Sequence, residues 1–322
     1  MAWLWYTVLG LAVFLAQAAL VGGYIGFRLS LVRRDEEVKE LQEPDPNVAK
    51  RTAMREAGKQ WLFSHSPEEV ELRARDGLTL RGYYIPAAKP SKRMVVFAHG
   101  YRCNGPDEFG AFLEFYHDEM NCHILLPDQR GHGRSDGKYI GFAALEWRDI
   151  LDWADMFVRR IGADTEVVLH GVSMGGATVM NCNANNPPEY VKCVVEDCGY
   201  TNGYEMIRLA ASRDLNLNIP PLFWGLRFWY RVLLGRSLKK DADPCGRIGD
   251  FKCPTLFVHG AVDGFVPTEM GLRCHEAARV PKELLLIEGA GHAMSYFIGK
   301  EEYEARLKAF LEQWMGEREG VF

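Results

Sequence analysis

The sequence has no Cys-x-x-Cys pair, although it holds eight cysteines. They are dispersed, and several fall in apolar runs of strand character. They read as reduced, buried thiols rather than as a disulfide framework or a zinc site. A dinucleotide-binding glycine fingerprint is also missing, and the nine histidines are scattered. Neither a metal nor an organic cofactor is therefore expected. There is no surplus of positive charge: the net charge is -5 and the pI is near 6.0, which excludes the electrostatic footprint of a nucleic-acid binder. No internal repeat or low-complexity tract is visible, which removes solenoid architectures. What remains is an ordinary globular composition, 48% apolar and 25% charged, in 322 residues. That is room for one large or two small domains.

One absence is local. Residues 1–27 carry no charge at all. A helix of that length spans about 40 Å, enough to cross a bilayer with some tilt. Trp3, Trp5 and Tyr6 stand at one end and Tyr24 near the other, as interfacial aromatics do. No Lys or Arg precedes the apolar run, and the run is too long for a signal core. This outweighs the resemblance of Ala16-Gln17-Ala18 to a cleavage site. An uncleaved transmembrane anchor is expected over residues 1–30. Arg28, Arg33 and Arg34 follow it, which puts the body of the protein on the cytoplasmic side, with the extracytoplasmic side as the alternative. Residues 31–67 read as a charged spacer, broken by Pro44 and Pro46, with a solvated helix over 47–60.

Beyond it, strand and helix patterns alternate. Residues 70–75 and 78–84 alternate around Asp76-Gly77, a hairpin with a favoured turn pair. Residues 94–98 form a continuous apolar run, as in a strand buried on both faces. Further strands are expected at 122–126, 166–170, 191–195, 254–258 and 283–287. Helices are expected at 108–117, 145–161, 269–278 and 301–314. Such alternation implies a mostly parallel sheet covered on both faces. The block 201–249 interrupts it, and is too long and too aromatic for a connection. It reads as a helical cap, leaving a core of 68–200 and 250–318.

The chemistry centres on Gly171-Val172-Ser173-Met174-Gly175-Gly176. Composition alone would produce roughly 0.1 matches to Gly-x-Ser-x-Gly in such a chain. Between a strand and a helix it is a nucleophile elbow: the turn strains the serine and leaves its hydroxyl on top of the sheet. A serine hydroxyl needs a base with a pKa near working pH, which favours histidine. Of the nine, only His292 follows a late strand in a loop of small residues, Gly289-Ala290-Gly291. An acid must then fix its tautomer. Asp263, after the strand 254–258, completes the order Ser, Asp, His. Asp197 is the runner-up, and reads better as a cap for the helix starting near Asn202. An acyl transition state also needs an oxyanion hole, for which the backbone N–H groups of Met174 and Tyr101 are the candidates. His99 is better placed to lock the 98–101 loop than to act as a base.

Taken together, His99-Gly100-Tyr101, the 128–135 loop, the elbow, Asp263 and His292 resemble the α/β-hydrolase superfamily. The nearest flavour is the monoglyceride-lipase and serine-aminopeptidase-like group. The resemblance covers residues from about 68 to 315. It implies an α/β fold with a mostly parallel eight-stranded sheet, and gives the 128–135 loop, His132 included, a structural role. Three functions share these motifs or the scaffold. The first is a serine hydrolase of a carboxylic ester, fatty-acyl or otherwise apolar, given the aromatic cap and the anchor. The second is an acyltransferase or serine peptidase using the same triad. The third is an inactive, membrane-tethered interaction module. Phe223, Trp224, Phe228 and Trp229 either contact an apolar substrate or simply pack the cap onto the core. The expected partners are a small-molecule acyl substrate, lipid or not, and the membrane.

Overall fold

The computed structural model describes residues 2–34 and 46–316. The acidic opening of the spacer, its Pro44 and the last two residues of the expected core lie outside the described residues. In chain order the elements are α1 (Ala2–Leu31), α2 (Pro46–Ser64), β1 (Glu68–Arg73), β2 (Thr79–Ile85), β3 (Arg93–Ala98) and α3 (Gly105–Phe109). Then come β4 (His123–Pro127), α4 (Glu146–Ile161), β5 (Glu166–Val172), α5 (Met174–Ala184) and β6 (Val191–Asp197). The cap supplies α6 (Gly203–Leu215) and α7 (Pro220–Leu234). The chain finishes with β7 (Thr255–Gly260), α8 (Thr268–Ala277), β8 (Lys282–Ile287), α9 (Ser295–Ile298) and α10 (Lys300–Trp314).

Eight strands form one sheet in the order β1-β2-β4-β3-β5-β6-β7-β8. The two pairings made by β2 are antiparallel, and every pairing from β4 to β8 is parallel. This is the mostly parallel eight-stranded sheet that the alternating pattern implies. All six residues of β3 are buried, as a continuous apolar run between two helical layers requires. One layer packs Phe109, Phe112 and Tyr303 on Phe97 and Val195; the other packs Trp153 and Phe157 on Val96 and Leu169. The β1–β2 hairpin turns at Gly77, whose φ of 89° suits glycine.

Two expectations need correction. The helix expected at 108–117 is broken into α3, a 3-10 turn at Gly110–Phe112 and a π turn at Phe115–Glu119. The break lies where α2 comes in: a Cβ on Gly58 would strike the Gly110 backbone. For the same reason α2 is not a solvated helix. Its Gly58 and Leu62 are buried against the core. The apolar helix expected over residues 1–30 is present as α1, and it packs on the body. From Ala19 onward it lies against α7, so close that a Cβ on Gly23 would meet the Gly225 backbone, and one on Gly225 the Ala19 carbonyl. Small residues permit this approach. Phe27 and Leu31 are fully buried in one cluster with Leu226 and Tyr230, and Trp229 donates its indole N–H to the Leu20 carbonyl at 2.9 Å. The strand-like residue after α1, Val32, bridges to Tyr139, and Arg33 donates to the Ser135 and Gly133 carbonyls. The stretch Trp3–Leu31 has a mean hydropathy of 2.0, long and apolar enough to cross a membrane.

Candidate active site

The elbow is built by backbone crowding. Ser173 has φ 57° and ψ −116°, outside the regions a serine prefers. The strain is held by two close approaches that only glycine allows. A Cβ on Gly171 would strike the Gly175 carbonyl, and one on Gly175 the Ala98 carbonyl at the end of β3. The Ser173 N–H donates to the Asp197 carbonyl at 2.8 Å, so β6 holds the other side. The result aims Ser173 away from the sheet at the start of α5.

His292 comes to it from the loop after β8. Its Nε2 lies 2.9 Å from Ser173 Oγ, and its Nδ1 lies 2.8 Å from Asp263 Oδ2. A carboxylate can only accept, so the proton belongs on Nδ1, and Nε2 is left to accept from the serine hydroxyl. Asp263 is fixed in turn: its Oδ1 accepts the N–H groups of Phe265 and Val266 at 2.8 and 2.9 Å. Burial pushes its carboxyl up, but hydrogen bonding and charge from His259 and His292 hold it well below the usual carboxylate range. The structure thus brings Ser173, His292 and Asp263 into one hydrogen-bonded chain.

His259 went unread in the sequence. It is buried at the end of β7, with Nε2 2.9 Å from the Val266 carbonyl and 3.4 Å from Asp263 Oδ2. Burial opposes its charged form, yet Asp263 and Glu196 raise its pKa overall. Phe265 is a second such residue, with its ring 4.7 Å from that of His292. The only sequence signal for either was nearness to Asp263 in the chain.

Both oxyanion candidates line the same cavity as Ser173. Met174 opens α5, where a helix leaves its first N–H groups without an intrahelical partner. The Tyr101 loop passes against the nucleophile: a Cβ on Gly100 would sit 3.5 Å from Ser173 Cβ. The last turn of α1 grips this loop. The Tyr101 hydroxyl donates to the Ser30 carbonyl at 2.8 Å, and Arg102 to the Leu29 carbonyl at 2.7 Å. His99 is committed elsewhere. Its Nε2 accepts the Gln129 N–H at 2.8 Å, which leaves Nδ1 to donate to the Gly100 carbonyl at 2.8 Å. His132 is buried against the Arg130 carbonyl, and burial drives its pKa down to about 3. Both brace loops.

Among the described residues, Asp197 neither bonds to His292 nor caps a helix. Its Oδ2 accepts the Tyr303 hydroxyl at 3.0 Å, and burial pushes its pKa up to about 6. The cap of α6 is Asn202 itself, which accepts the N–H groups of Tyr204 and Glu205. Cys198, Asp263 and His292 bring possible ligand atoms within 4.8 Å of one another, but the His292–Asp263 hydrogen bond already occupies the atoms a cation would need. All eight cysteines are free thiols.

Two cavities meet at Ser173. One, of about 280 Å³, is walled by Met174, Tyr200, Met206, Ile207 and Val266, with Ser30 and Leu215 at its edges. The other, of about 750 Å³, runs past His292 towards α2. Of the four cap aromatics, Phe223 is buried, Trp229 is half-buried on α1, and Trp224 and Phe228 are 52% and 42% exposed. None of them lines the apolar cavity, whose cap residues come from α6 instead.

The model of the alpha/beta hydrolase family matches residues 95–306, which takes in the elbow, Asp263 and His292. The chain belongs to that family. Among curated relatives, it is 24% identical to the uncharacterized protein YqkD of Bacillus subtilis over 236 residues, 73% of this chain and 76% of that one. It is 25% identical to human alpha/beta hydrolase domain-containing protein 17B over 264 residues, 79% of each. The esterase Pf2001 of Pyrococcus furiosus superposes with a TM-score of 0.65 at 20% identity, covering 89% of this chain and 99% of that one. As a hydrolase of this family, the chain carries its candidate nucleophile at the turn from β5 into α5.

Proposed function

We propose that this hydrolase is a membrane-tethered serine esterase acting on an apolar carboxylic ester. The observation that carries the reading is the hydrogen-bonded chain Ser173–His292–Asp263 opening onto an apolar cavity. Ser173 Oγ attacks the ester carbonyl while His292 Nε2 takes its proton, and Asp263 stabilises the imidazolium. In this reading the developing oxyanion falls to the N–H groups of Met174 and Tyr101. His292 returns the proton to the leaving oxygen as the acyl C–O bond breaks. It then draws a proton from the water that frees the acyl group and restores Ser173. The name of the Pyrococcus furiosus neighbour, an esterase, agrees with this chemistry. So does the finer resemblance to the monoglyceride-lipase-like group. In this reading α1 is the anchor, and the basic residues Arg28, Arg33 and Arg34 at its end keep the catalytic body in the cytoplasm.

The test compares p-nitrophenyl acetate and octanoate with the full chain in detergent. The longer ester is the better substrate, and Ser173→Ala lowers turnover by roughly 10⁴ to 10⁶. A variant that keeps most of its activity would show that the nucleophile is misassigned. A clear preference for acetate would remove the apolar acyl group from the reading.

A further inference from the structure

The two cavities at Ser173 differ in character, and His292 tells which end of a substrate each one takes. The argument rests on the hydrolase reading above. His292 must hand its proton to the departing oxygen, so the leaving group lies on the histidine's side of Ser173. His292 lines the larger cavity and not the apolar one. The acyl chain therefore belongs beside Met174 and Met206, and the leaving group in the larger cavity.

That larger cavity is basic. Arg33, Arg34, Arg51, Arg55, Lys59 and Arg102 line it, against the acids Glu56, Asp107 and Glu108. The acids are matched within it: Arg55 pairs with Glu108 at 3.0 Å, and Lys59 with Asp107 and Glu56 at 3.0 and 3.2 Å. The two cations nearest the Tyr101 loop are different. Arg102 gives one N–H to the neutral Leu29 carbonyl, its guanidinium lies 4.8 Å over the Tyr101 ring, and its buried Nε has no hydrogen-bond partner among the described residues. Arg34 is exposed, and the charges of both arginines reach the Tyr101 phenol, where they oppose the upward push of burial. A guanidinium whose partners are a carbonyl and a ring keeps its full charge and a fork that fits phosphate.

We propose that this cavity reads a phosphate on the leaving group. The substrate is then an apolar acyl group joined to a phosphorylated alcohol or thiol, and Arg102 and Arg34 set that specificity. Hydrolysis breaks the acyl C–O or C–S bond, and the phosphorylated group leaves with the proton from His292. Two sources share this chemistry: a monoacylated glycerol phosphate drawn from the bilayer, and a soluble acyl thioester of a phosphorylated nucleotide carrier.

The experiment measures kcat/KM of the full chain in detergent on three octanoyl substrates: octanoyl-glycerol 3-phosphate, its neutral counterpart octanoylglycerol, and octanoyl-coenzyme A. The phosphorylated ester is expected to exceed the neutral one by about tenfold, a gap that narrows as salt rises. Arg102→Gln and Arg34→Gln should each shrink that ratio, and together bring it near unity. Fluorophosphonate labelling of Ser173 reports that each variant is folded. If the double variant does not label, Arg34→Gln decides alone, because an exposed side chain can be exchanged without loss of fold. Whichever of the glycerol phosphate and the coenzyme A substrate is faster names the source, and either supports the proposal. A ratio near or below unity in the unaltered chain, or one unchanged in the variants, overturns it and leaves the basic charge to the chain's own acidic residues. If no octanoyl substrate is cleaved and Ser173 does not label, the hydrolase reading fails and this proposal with it.

Discussion

Asp197 ends β6 and Asp263 lies in the loop after the neighbouring β7; both are buried, yet their surroundings give them opposite properties. Asp263 accepts hydrogen bonds from one histidine and two backbone amides, and its pKa is held down. Asp197 accepts the Tyr303 hydroxyl on its Oδ2, and burial raises it to about 6. Two predictions follow at this scale. Asp263→Asn keeps the shape but puts the proton on the wrong imidazole nitrogen, so kcat on an octanoyl ester falls by about 10⁴. Asp197→Asn leaves kcat within a few-fold. Their linkage to stability also has opposite signs. The depressed carboxyl of Asp263 contributes stability that is full above its unfolded pKa of about 4 and is lost as pH falls towards the folded value. The raised carboxyl of Asp197 costs stability as pH rises from about 4 to about 6. Thermal melts of Asp197→Asn should therefore gain on the unaltered chain across that interval, and a constant difference would refute the assignment. The elbow itself was legible because glycine at 171 and 175 answers a need of the backbone, which a residue type reveals. His259 was not, because its effect on Asp263 depends on how one loop folds back, which no spacing encodes.

At the scale of elements, the sheet was legible and the helix contacts were not. Buried parallel strands write themselves as apolar runs, so β3, β5 and β7 lie within two residues of their expected limits. The docking of α1 on α7 left no such mark. An unbroken apolar run looks the same whether lipid or protein surrounds it, and only Gly22, Gly23 and Gly26 hint at a close neighbour. That contact gives a third prediction. Gly225→Leu must push α1 from α7, and overpacking of this kind costs about 1–3 kcal/mol, read as a lower Tm of the full chain. A fourth concerns truncation. Deleting residues 1–31 strips Phe27 and Leu31 from the cap cluster and the Ser30 carbonyl from Tyr101. The shortened chain should aggregate or lose most of its kcat, and a fully active soluble fragment would contradict this role for α1.

Across the whole molecule, the apolar helix α1, the cap and the loop beside Ser173 form one connected unit. The apolar helix reaches from its exposed aromatic end to the loop beside Ser173, and the cavity next to that serine borrows its edge from Ser30. Under the proposed function, the substrate is met next to the membrane in which α1 is anchored. The central claim is that Ser173, His292 and Asp263 act as one catalytic chain. It is tested most directly by treating the full chain with a fluorophosphonate and mapping the adduct by peptide mass spectrometry. The account predicts a single adduct on Ser173, absent in Ser173→Ala and formed at least about 10² more slowly in His292→Ala. An adduct on another serine, or an undiminished rate in His292→Ala, would contradict it.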